Sequence, residues 1–263
     1  MDNRINFRWL GALGIELKVD NKILLIDPFL SRPPFHRIFF GRVKPDQTLL
    51  STYIQKADYI LISHPHWDHI MDVPEIVRNT KASVYGSKNS CAILEISGVP
   101  GDSIHLINPL DTIALRPFLI TVHEVQHTQI PFSKVFTGSL APGLKFPLRL
   151  QDYKMDICYS FQIQAGGINI QVGIEPHLPT DVLLISIHEE YSVYSLVKSI
   201  QPNLVIPVHW DNFMRSIDKP LTELHKPGGV NLKTFSRIVK TISPRTNILI
   251  PQLFESYSLD IYK

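Results

Sequence analysis

The chain has 263 residues, of which 44% are hydrophobic and 19% are charged. This length and apolar content are sufficient for one large domain or two small ones, and they exclude an intrinsically disordered chain. The formal net charge is only +2, so the composition does not indicate a strongly basic surface for nucleic acid. The two cysteines, Cys91 and Cys158, lie far apart, which excludes a disulfide scaffold and a cysteine-based zinc ribbon and favours a reducing compartment.

The N-terminal region has no feature of a targeting segment. Its residues alternate as strands do, and no apolar run reaches the roughly 18 residues that a membrane span requires. We therefore expect a mature protein that begins at Met1 and is soluble and cytoplasmic.

The first half of the chain predicts a hairpin followed by a buried strand. Gly14–Val19 and Lys22–Ile26 are apolar runs on either side of a two-residue turn, which is typical of a β-hairpin. Residues 31–47 are rich in proline, aromatic and basic residues, so we interpret them as a long excursion beside a strand end. Residues 57–63 form an apolar run of strand length that ends at the polar cluster HPHWDH.

Two helices are predicted after this strand. The first covers residues 72–80, with Asp72 as the N-cap and a proline in the first turn. The second covers residues 87–98 and ends at Gly98.

The second half repeats this order of elements. Residues 159–176 form strand, small-residue turn and strand, and they end at Glu175-Pro176, as the first hairpin ends at Asp27-Pro28. The segments ADYILIS and TDVLLIS follow the two hairpins. We infer an internal duplication. Two such halves predict an α/β fold of the four-layer αββα type, in a single domain of residues 1–263.

A dense set of metal-ligand side chains follows the buried strand. His64, His66, Asp68 and His69 lie within six residues. Imidazole and carboxylate ligands suit zinc, iron or manganese, and His64 with His66 could hold one ion while Asp68 with His69 holds a second. The alternative is a solvated polar turn with surface histidines.

The segment HPHWDH resembles the HxHxDH signature of the metallo-β-lactamase superfamily. Three further segments, WLGALGIELKVDNKILLIDPF, LISHPHWDHI and IPVHWDNF, are similar to the branch that contains ascorbate-6-phosphate lactonase and N-acyl-phosphatidylethanolamine phospholipase D. The resemblance implies an αββα sandwich with a dinuclear metal site at the strand ends between the sheets.

By this resemblance, two groups of three ligands are expected. They are His64, His66 and His127 for one metal, and Asp68, His69 and His209 for the other. His123 is an alternative to His127, but it lies inside a strand-like run, whereas His127 lies at the strand end.

The resembling family also places Gly-Asp-Thr at the end of the second hairpin, with its aspartate bridging both metals. This chain has Gly-Ile-Glu-Pro at residues 173–176, so Glu175 is the candidate for a further ligand, with His177 and His188 as alternatives. Asp27 is expected to hydrogen-bond a ligating imidazole, or else to be a simple turn aspartate.

The implied chemistry is hydrolysis by metal-activated hydroxide. Asp68 is expected to orient this hydroxide or to accept its proton. Two divalent ions are expected, zinc first, with manganese or iron as alternatives. The chain lacks G-x-S-x-G, P-loop and dinucleotide-binding motifs, which excludes those classes. The alternatives are a protein of this fold that binds metal or a partner without turnover, and a nuclease of the same superfamily.

The expected substrate is a phosphodiester or a lactone or ester of a small or lipid-like anionic molecule. Two excursions, residues 31–47 and 134–153, supply cations for the anion, namely Arg37, Arg42, Lys44, Lys134, Lys145 and Arg149. They also supply aromatic side chains for an apolar portion or for transient contact with a membrane surface, namely Phe35, Phe39, Phe40 and Phe146. The alternative is that these are solvated loop charges with aromatic anchors.

Overall fold

Two seven-stranded sheets form the centre of the described part of the chain. The computed structural model describes residues 4–34, 36–37, 41–127, 135–174, 176, 178–187, 190–224 and 230–259. The first sheet contains β1 (Ile5–Gly11), β2 (Gly14–Val19), β3 (Lys22–Ile26), β4 (Tyr59–Leu61), β5 (Ser83–Gly86), β6 (Ile104–Leu106) and β14 (Ser256–Ser258). The second contains β7 (Thr112–Leu115), β8 (Phe118–Val125), β9 (Cys158–Ala165), β10 (Ile168–Val172), β11 (Val182–Ser186), β12 (Leu204–Val208) and β13 (Asn247–Ile248).

The strand order is β14-β1-β2-β3-β4-β5-β6 in the first sheet and β13-β12-β11-β10-β9-β8-β7 in the second. The helices are α1 (Gln47–Tyr53), α2 (Trp67–Ile70), α3 (Val73–Thr80), α4 (Lys88–Ile96), α5 (Glu190–Ile200) and α6 (Leu232–Ile242). Within the residues described, no helix has the length and hydropathy needed to cross a membrane.

Apolar side chains alternate between two buried layers. Leu24 and Ile26 of β3 belong to the core that joins the two sheets, whereas Leu25 packs with α2 and α3 on the other face. Helices α5 and α6 contribute to the core of the second sheet. The parallel strands are buried on both faces, which is why they appear in the sequence as continuous apolar runs. The predicted four-layer αββα arrangement is confirmed.

The predicted internal duplication is also present. In each half an antiparallel hairpin, β2-β3 or β9-β10, is followed by parallel strands. A carboxylate occupies the same place in both halves. Asp58 Oδ2 accepts a hydrogen bond from Ile23 N at 2.9 Å, and Asp181 Oδ2 accepts one from Asn169 N at 2.7 Å. The repeated aspartates therefore fix the start of each second hairpin strand.

Backbone pairing at the end of each hairpin tests the expected equivalence of the two acid-proline pairs. Asp27 N donates to Leu61 O at 3.0 Å, and it is Gly173 N that makes the matching bond, to Leu184 O at 3.1 Å. The residue equivalent to Asp27 is thus Gly173, and the expected equivalence of Glu175 with Asp27 is wrong by two residues. Backbone pairing, not the acid-proline pattern, sets the register of the repeat.

Asp72 precedes α3 as predicted, but its side chain does not cap the helix. Its Oδ2 atom accepts hydrogen bonds from Leu30 N at 2.6 Å and Ser31 N at 2.9 Å. The carboxylate therefore ties the loop after β3 to the start of α3. Its Oδ1 atom is buried and has no hydrogen-bond partner in the described part of the chain.

Asp72→Asn is expected to change how stability depends on pH. Burial raises the pKa of Asp72 from 3.8 to about 6, so in this interval the folded chain keeps a proton that the unfolded chain has lost. Below pH 3.8 this carboxyl makes its full contribution to the free energy of unfolding. The contribution falls by on the order of 3 kcal/mol as the pH rises to about 6. Asparagine does not titrate. Urea denaturation across this interval should show the variant gaining stability relative to the wild type as the pH rises, and parallel pH profiles would contradict the assignment.

Candidate metal centre

Polar side chains meet where strands of both sheets end. His64 follows β4 by three residues, His127 follows β8 by two, and His209 directly follows β12. His66, Asp68 and His69 lie at the start of α2 or within it. Because the two sheets pack face to face, these chain-distant segments deliver their side chains to one place.

The first group of side chains is His64, His66 and His127. One ring nitrogen from each lies within 4.8 Å of the others. The ring centroids are 4.5 Å apart for His64 and His66, 4.6 Å for His64 and His127, and 4.9 Å for His66 and His127. The structure therefore brings together the three histidines predicted for one metal.

Hydrogen bonds indicate which ring nitrogens face the first group. His66 Nε2 lies 3.2 Å from Phe136 O, and since a carbonyl only accepts, this nitrogen carries the hydrogen and Nδ1 keeps its lone pair. His64 Nδ1 lies 2.9 Å from Ser63 Oγ. Among the residues that the structure describes, His64 Nε2 is buried without a hydrogen-bond partner, which is costly in a packed interior unless another group binds there.

The second group is Asp68, His69 and His209, whose ligand atoms also lie within 4.8 Å of one another. Asp68 Oδ2 is 3.6 Å from His69 Nε2 and 3.4 Å from His209 Nε2. All three side chains are buried. His209 has a left-handed backbone, with φ of +57°, a conformation that costs free energy and is found more often at functional sites.

Asp27 makes the contact expected of it. Its Oδ2 atom lies 2.8 Å from His69 Nδ1, its Oδ1 atom accepts from Ser63 N at 2.7 Å, and the Ser63 hydroxyl also donates to it. An imidazole held in this way directs its Nε2 lone pair toward Asp68. Asp27 thereby links both groups, because the same Ser63 hydroxyl contacts His64.

Burial favours the neutral form of His64 and His66, and the neighbours of Asp68 keep its carboxylate ionised. Burial lowers the pKa of His64 well below its usual range and that of His66 to about 4. Burial alone would raise the pKa of Asp68, but the neighbouring His69 and His209 hold it well below its ordinary value. These are the protonation states that metal ligands need. The donor set of imidazole nitrogens and one carboxylate fits zinc, manganese or iron.

The remaining predicted ligands fall into two kinds. His123 lies within β8, opposite Ser160, and belongs to neither group. Glu175, His177 and His188 lie outside the described residues.

The end of the second hairpin contributes an apolar side chain to the site. Gly173 has φ of +114°, and a Cβ there would lie 2.8 Å from Ser160 Oγ, so glycine is required at this position. The next residue, Ile174, lines the cavity beside the ligand groups.

Ser186, which corresponds to Ser63 in the repeat, has a buried hydroxyl without a hydrogen-bond partner among the described residues.

A cavity of about 260 Å³ opens over both groups. Its walls are mostly aromatic and aliphatic, from the side chains Leu13, Trp67, Val125, Phe136, Tyr159, Phe161, Val172, Ile174 and Phe213. Phe136 lies beside His66, with ring centroids 6.1 Å apart, and Phe213 lies beside His209, at 4.9 Å. One phenylalanine thus flanks each group.

A buried ion pair that the sequence did not indicate supports the second group. Arg32 Nη2 bonds to Asp211 Oδ2, with side chains 2% and 0% exposed. Asp211 Oδ1 accepts from Ala12 N at 3.0 Å, and His209 N donates to Ala12 O at 2.8 Å. The segment that carries His209 is therefore fixed to the β1-β2 turn and to the loop after β3.

The predicted substrate-contacting loops are held to each other. Arg42 Nη1 donates to Lys145 O at 3.1 Å and Pro147 O at 2.6 Å, and Val43 N donates to Leu148 O at 2.9 Å. Arg37, Arg42, Lys44, Lys145 and Arg149 are exposed, and Phe146 is half-buried. Lys134, Phe35, Phe39 and Phe40 lie outside the described residues.

The fold and the paired ligand groups define a protein of the αββα metallohydrolase class. Residues 22–161 match the family model described as "Beta-lactamase superfamily domain", and the chain belongs to this family. The predicted metallo-β-lactamase superfamily membership is thus confirmed, whereas the particular branch stays a prediction.

Known relatives carry names of the same class. A UPF0173 metal-dependent hydrolase of Staphylococcus aureus strain MRSA252 is 25% identical over 214 residues, which cover 77% of this chain and 84% of that protein. A UPF0173 metal-dependent hydrolase of Polynucleobacter asymbioticus is 22% identical over 227 residues, covering 78% and 73%. Igni18, described as a novel metallo hydrolase from Ignicoccus hospitalis, has the same fold, with a TM-score of 0.66 at 16% identity and coverage of 98% and 99%. The predicted class, a metal-dependent hydrolase, agrees with these names.

Proposed function

We propose that this protein is a metal-dependent hydrolase that binds two divalent ions, one at His64, His66 and His127 and one at Asp68, His69 and His209. The observation that carries the proposal is the pair of three-residue groups, each with ligand atoms within 4.8 Å, at the base of a single cavity. Zinc is the first choice from the donor chemistry, with manganese or iron as alternatives.

The chain's own residues prepare the site for hydrolysis. Metal ions bound there would supply hydroxide at neutral pH and polarise the substrate oxygen. The ionised Asp68 would orient the attacking water or accept its proton. Asp27 and Ser63 fix the rings of His69 and His64. The apolar walls exclude bulk water, which strengthens electrostatic interactions within the cavity.

The proposed substrate is a phosphodiester or a lactone or ester of a small or lipid-like anionic molecule. An anionic group could meet the exposed Arg37, Lys44, Lys145 and Arg149 of the two excursions, and transient contact with a membrane surface remains part of the proposal. Resemblance to the lactonase and phospholipase branch supports this choice. We further propose a single domain over residues 1–263 and a cytoplasmic location.

The proposal is tested by metal content and turnover together. We expect elemental mass spectrometry of the purified chain, dialysed without chelator, to give about two metal ions per chain. His66→Ala and His69→Ala should each lose metal and all hydrolysis, because each removes a ligand from a different group. The substrates are 4-nitrophenyl butyrate, bis-4-nitrophenyl phosphate and dihydrocoumarin.

His123→Ala is the matched control, since it removes a histidine outside both groups. It should keep both the metal and the activity of the wild type. Equal metal content in all three variants would contradict the ligand assignment. Full metal content without turnover of any substrate would indicate a binding protein of this fold.

A further inference from the structure

The residue types that line the cavity indicate which part of the substrate enters it. Among the described residues, the cavity is lined by no lysine or arginine. The described cations of the two excursions, Arg37, Arg42, Lys44, Lys145 and Arg149, are exposed and are absent from its lining. A carboxylate or phosphate substituent inserted against these walls, away from the two ligand groups, would lose its hydration without gaining a cationic partner, and that loss is costly.

The side chains next to the ligand groups are apolar and partly accessible. Phe136 and Phe213 are each half-buried, and they lie beside His66 and His209 respectively. Ile174, also half-buried, lines the same cavity at the end of the second hairpin. These side chains offer an apolar surface directly beside the point at which a bond would be cleaved.

We infer that the cavity accepts an uncharged apolar portion of the substrate next to the scissile bond, held between Phe136 and Phe213, and that any anionic group stays outside it. The inference rests on the proposed function, because it assigns specificity to the same site. It makes Phe136, Phe213 and Ile174 residues that determine specificity. A cavity of about 260 Å³ has room for a short acyl chain or a single aromatic ring.

A matched pair of amides tests the inference without requiring turnover. Butyranilide and succinanilate have acyl chains of equal length that end in a methyl group and a carboxylate respectively, and both resist hydrolysis. Calorimetric titration of the metal-containing protein should show butyranilide binding about tenfold more tightly or better. Equal or tighter binding of succinanilate, or no binding of butyranilide, would overturn the inference.

Two variants locate the binding. Phe136→Ala should weaken butyranilide binding about threefold to tenfold through loss of apolar contact. Phe254→Ala is the matched control, since Phe254 stacks on Tyr53 with ring centroids 3.8 Å apart and does not line the cavity. Ile174→Lys should reverse the preference toward succinanilate, because it places a cation in the wall. An unchanged preference in Ile174→Lys, or equal effects of the two phenylalanine variants, would place the binding elsewhere.

Hydrolysis is measured separately with 4-nitrophenyl butyrate and 4-nitrophenyl hemisuccinate. Butyranilide binding with no hydrolysis of any ester, lactone or phosphodiester would contradict the proposed function and leave the inference standing. Hydrolysis that favours the hemisuccinate would contradict the inference and leave the proposed function standing.

Discussion

Asp211→Ala is expected to destabilise the protein by about 3–5 kcal/mol, because it leaves the Arg32 guanidinium charged and buried without its partner. The Arg32 and Asp211 side chains are 2% and 0% exposed, so the guanidinium lies out of contact with bulk water. The change also removes the acceptor of Ala12 N. Urea denaturation followed by circular dichroism measures the loss, which should appear as a lower midpoint with an unchanged slope.

Three variants separate the effect of this pair from a general effect of losing a charge. Asp211→Asn should cost less than Asp211→Ala, because an amide oxygen can still accept from Ala12 N. Arg32→Met combined with Asp211→Asn should recover part of the loss, since neither member is then a buried lone charge. Lys22→Ala breaks the exposed contact with Asp58 and should hardly move the midpoint. A midpoint for Asp211→Ala no lower than that of Lys22→Ala would refute the proposed support.

The sequence predicts most of the candidate metal centre because its central part is contiguous. Four ligand side chains lie within residues 64–69, directly after an apolar run that is long enough only for a strand. His127 and His209 are added by the resemblance to the metallo-β-lactamase superfamily, and each of them also follows an apolar run. In contrast, His123 lies within a strand, and the structure leaves it outside both groups.

The parts that the sequence could not predict depend on pairings between distant residues. Arg32 and Asp211 are 179 residues apart, and nothing in the composition of either segment indicates their contact. The carbonyl of Phe136, which fixes the tautomer of His66, is a backbone group 70 residues away and has no side-chain signature. Tertiary packing alone creates both contacts.

The error in placing Glu175 has a specific physical cause. An acid followed by proline occurs after both hairpins, and this similarity suggested that the two acids are equivalent. Hydrogen bonding shows that Gly173 matches Asp27, so the acid lies two residues further along the chain. The serine that ends both ADYILIS and TDVLLIS is a signal that could have shown that the two halves differ. Ser63 bonds to Asp27, whereas Ser186 has no such partner among the described residues.

Asp68→Asn is expected to reduce hydrolysis by about 10²–10⁴-fold while leaving the chain folded. The carboxylate of Asp68 lies 3.6 Å from His69 Nε2 and 3.4 Å from His209 Nε2, and these neighbours keep its pKa below the ordinary value. Asparagine has nearly the same shape but no charge and one oxygen, so it would not accept a proton from the attacking water. Metal content should fall only at the second group, because His64, His66 and His127 do not include Asp68.

Asp72→Asn is the matched control for this substitution. It makes the same chemical change four residues further along the chain, at a buried carboxylate that does not line the cavity. Its turnover of 4-nitrophenyl butyrate at neutral pH should equal that of the wild type. If Asp68→Asn retained wild-type turnover and two metal ions, Asp68 would be neither a ligand nor a proton acceptor. If both variants lost turnover equally, the loss would arise from the removal of a buried carboxylate and not from chemistry at the metal centre.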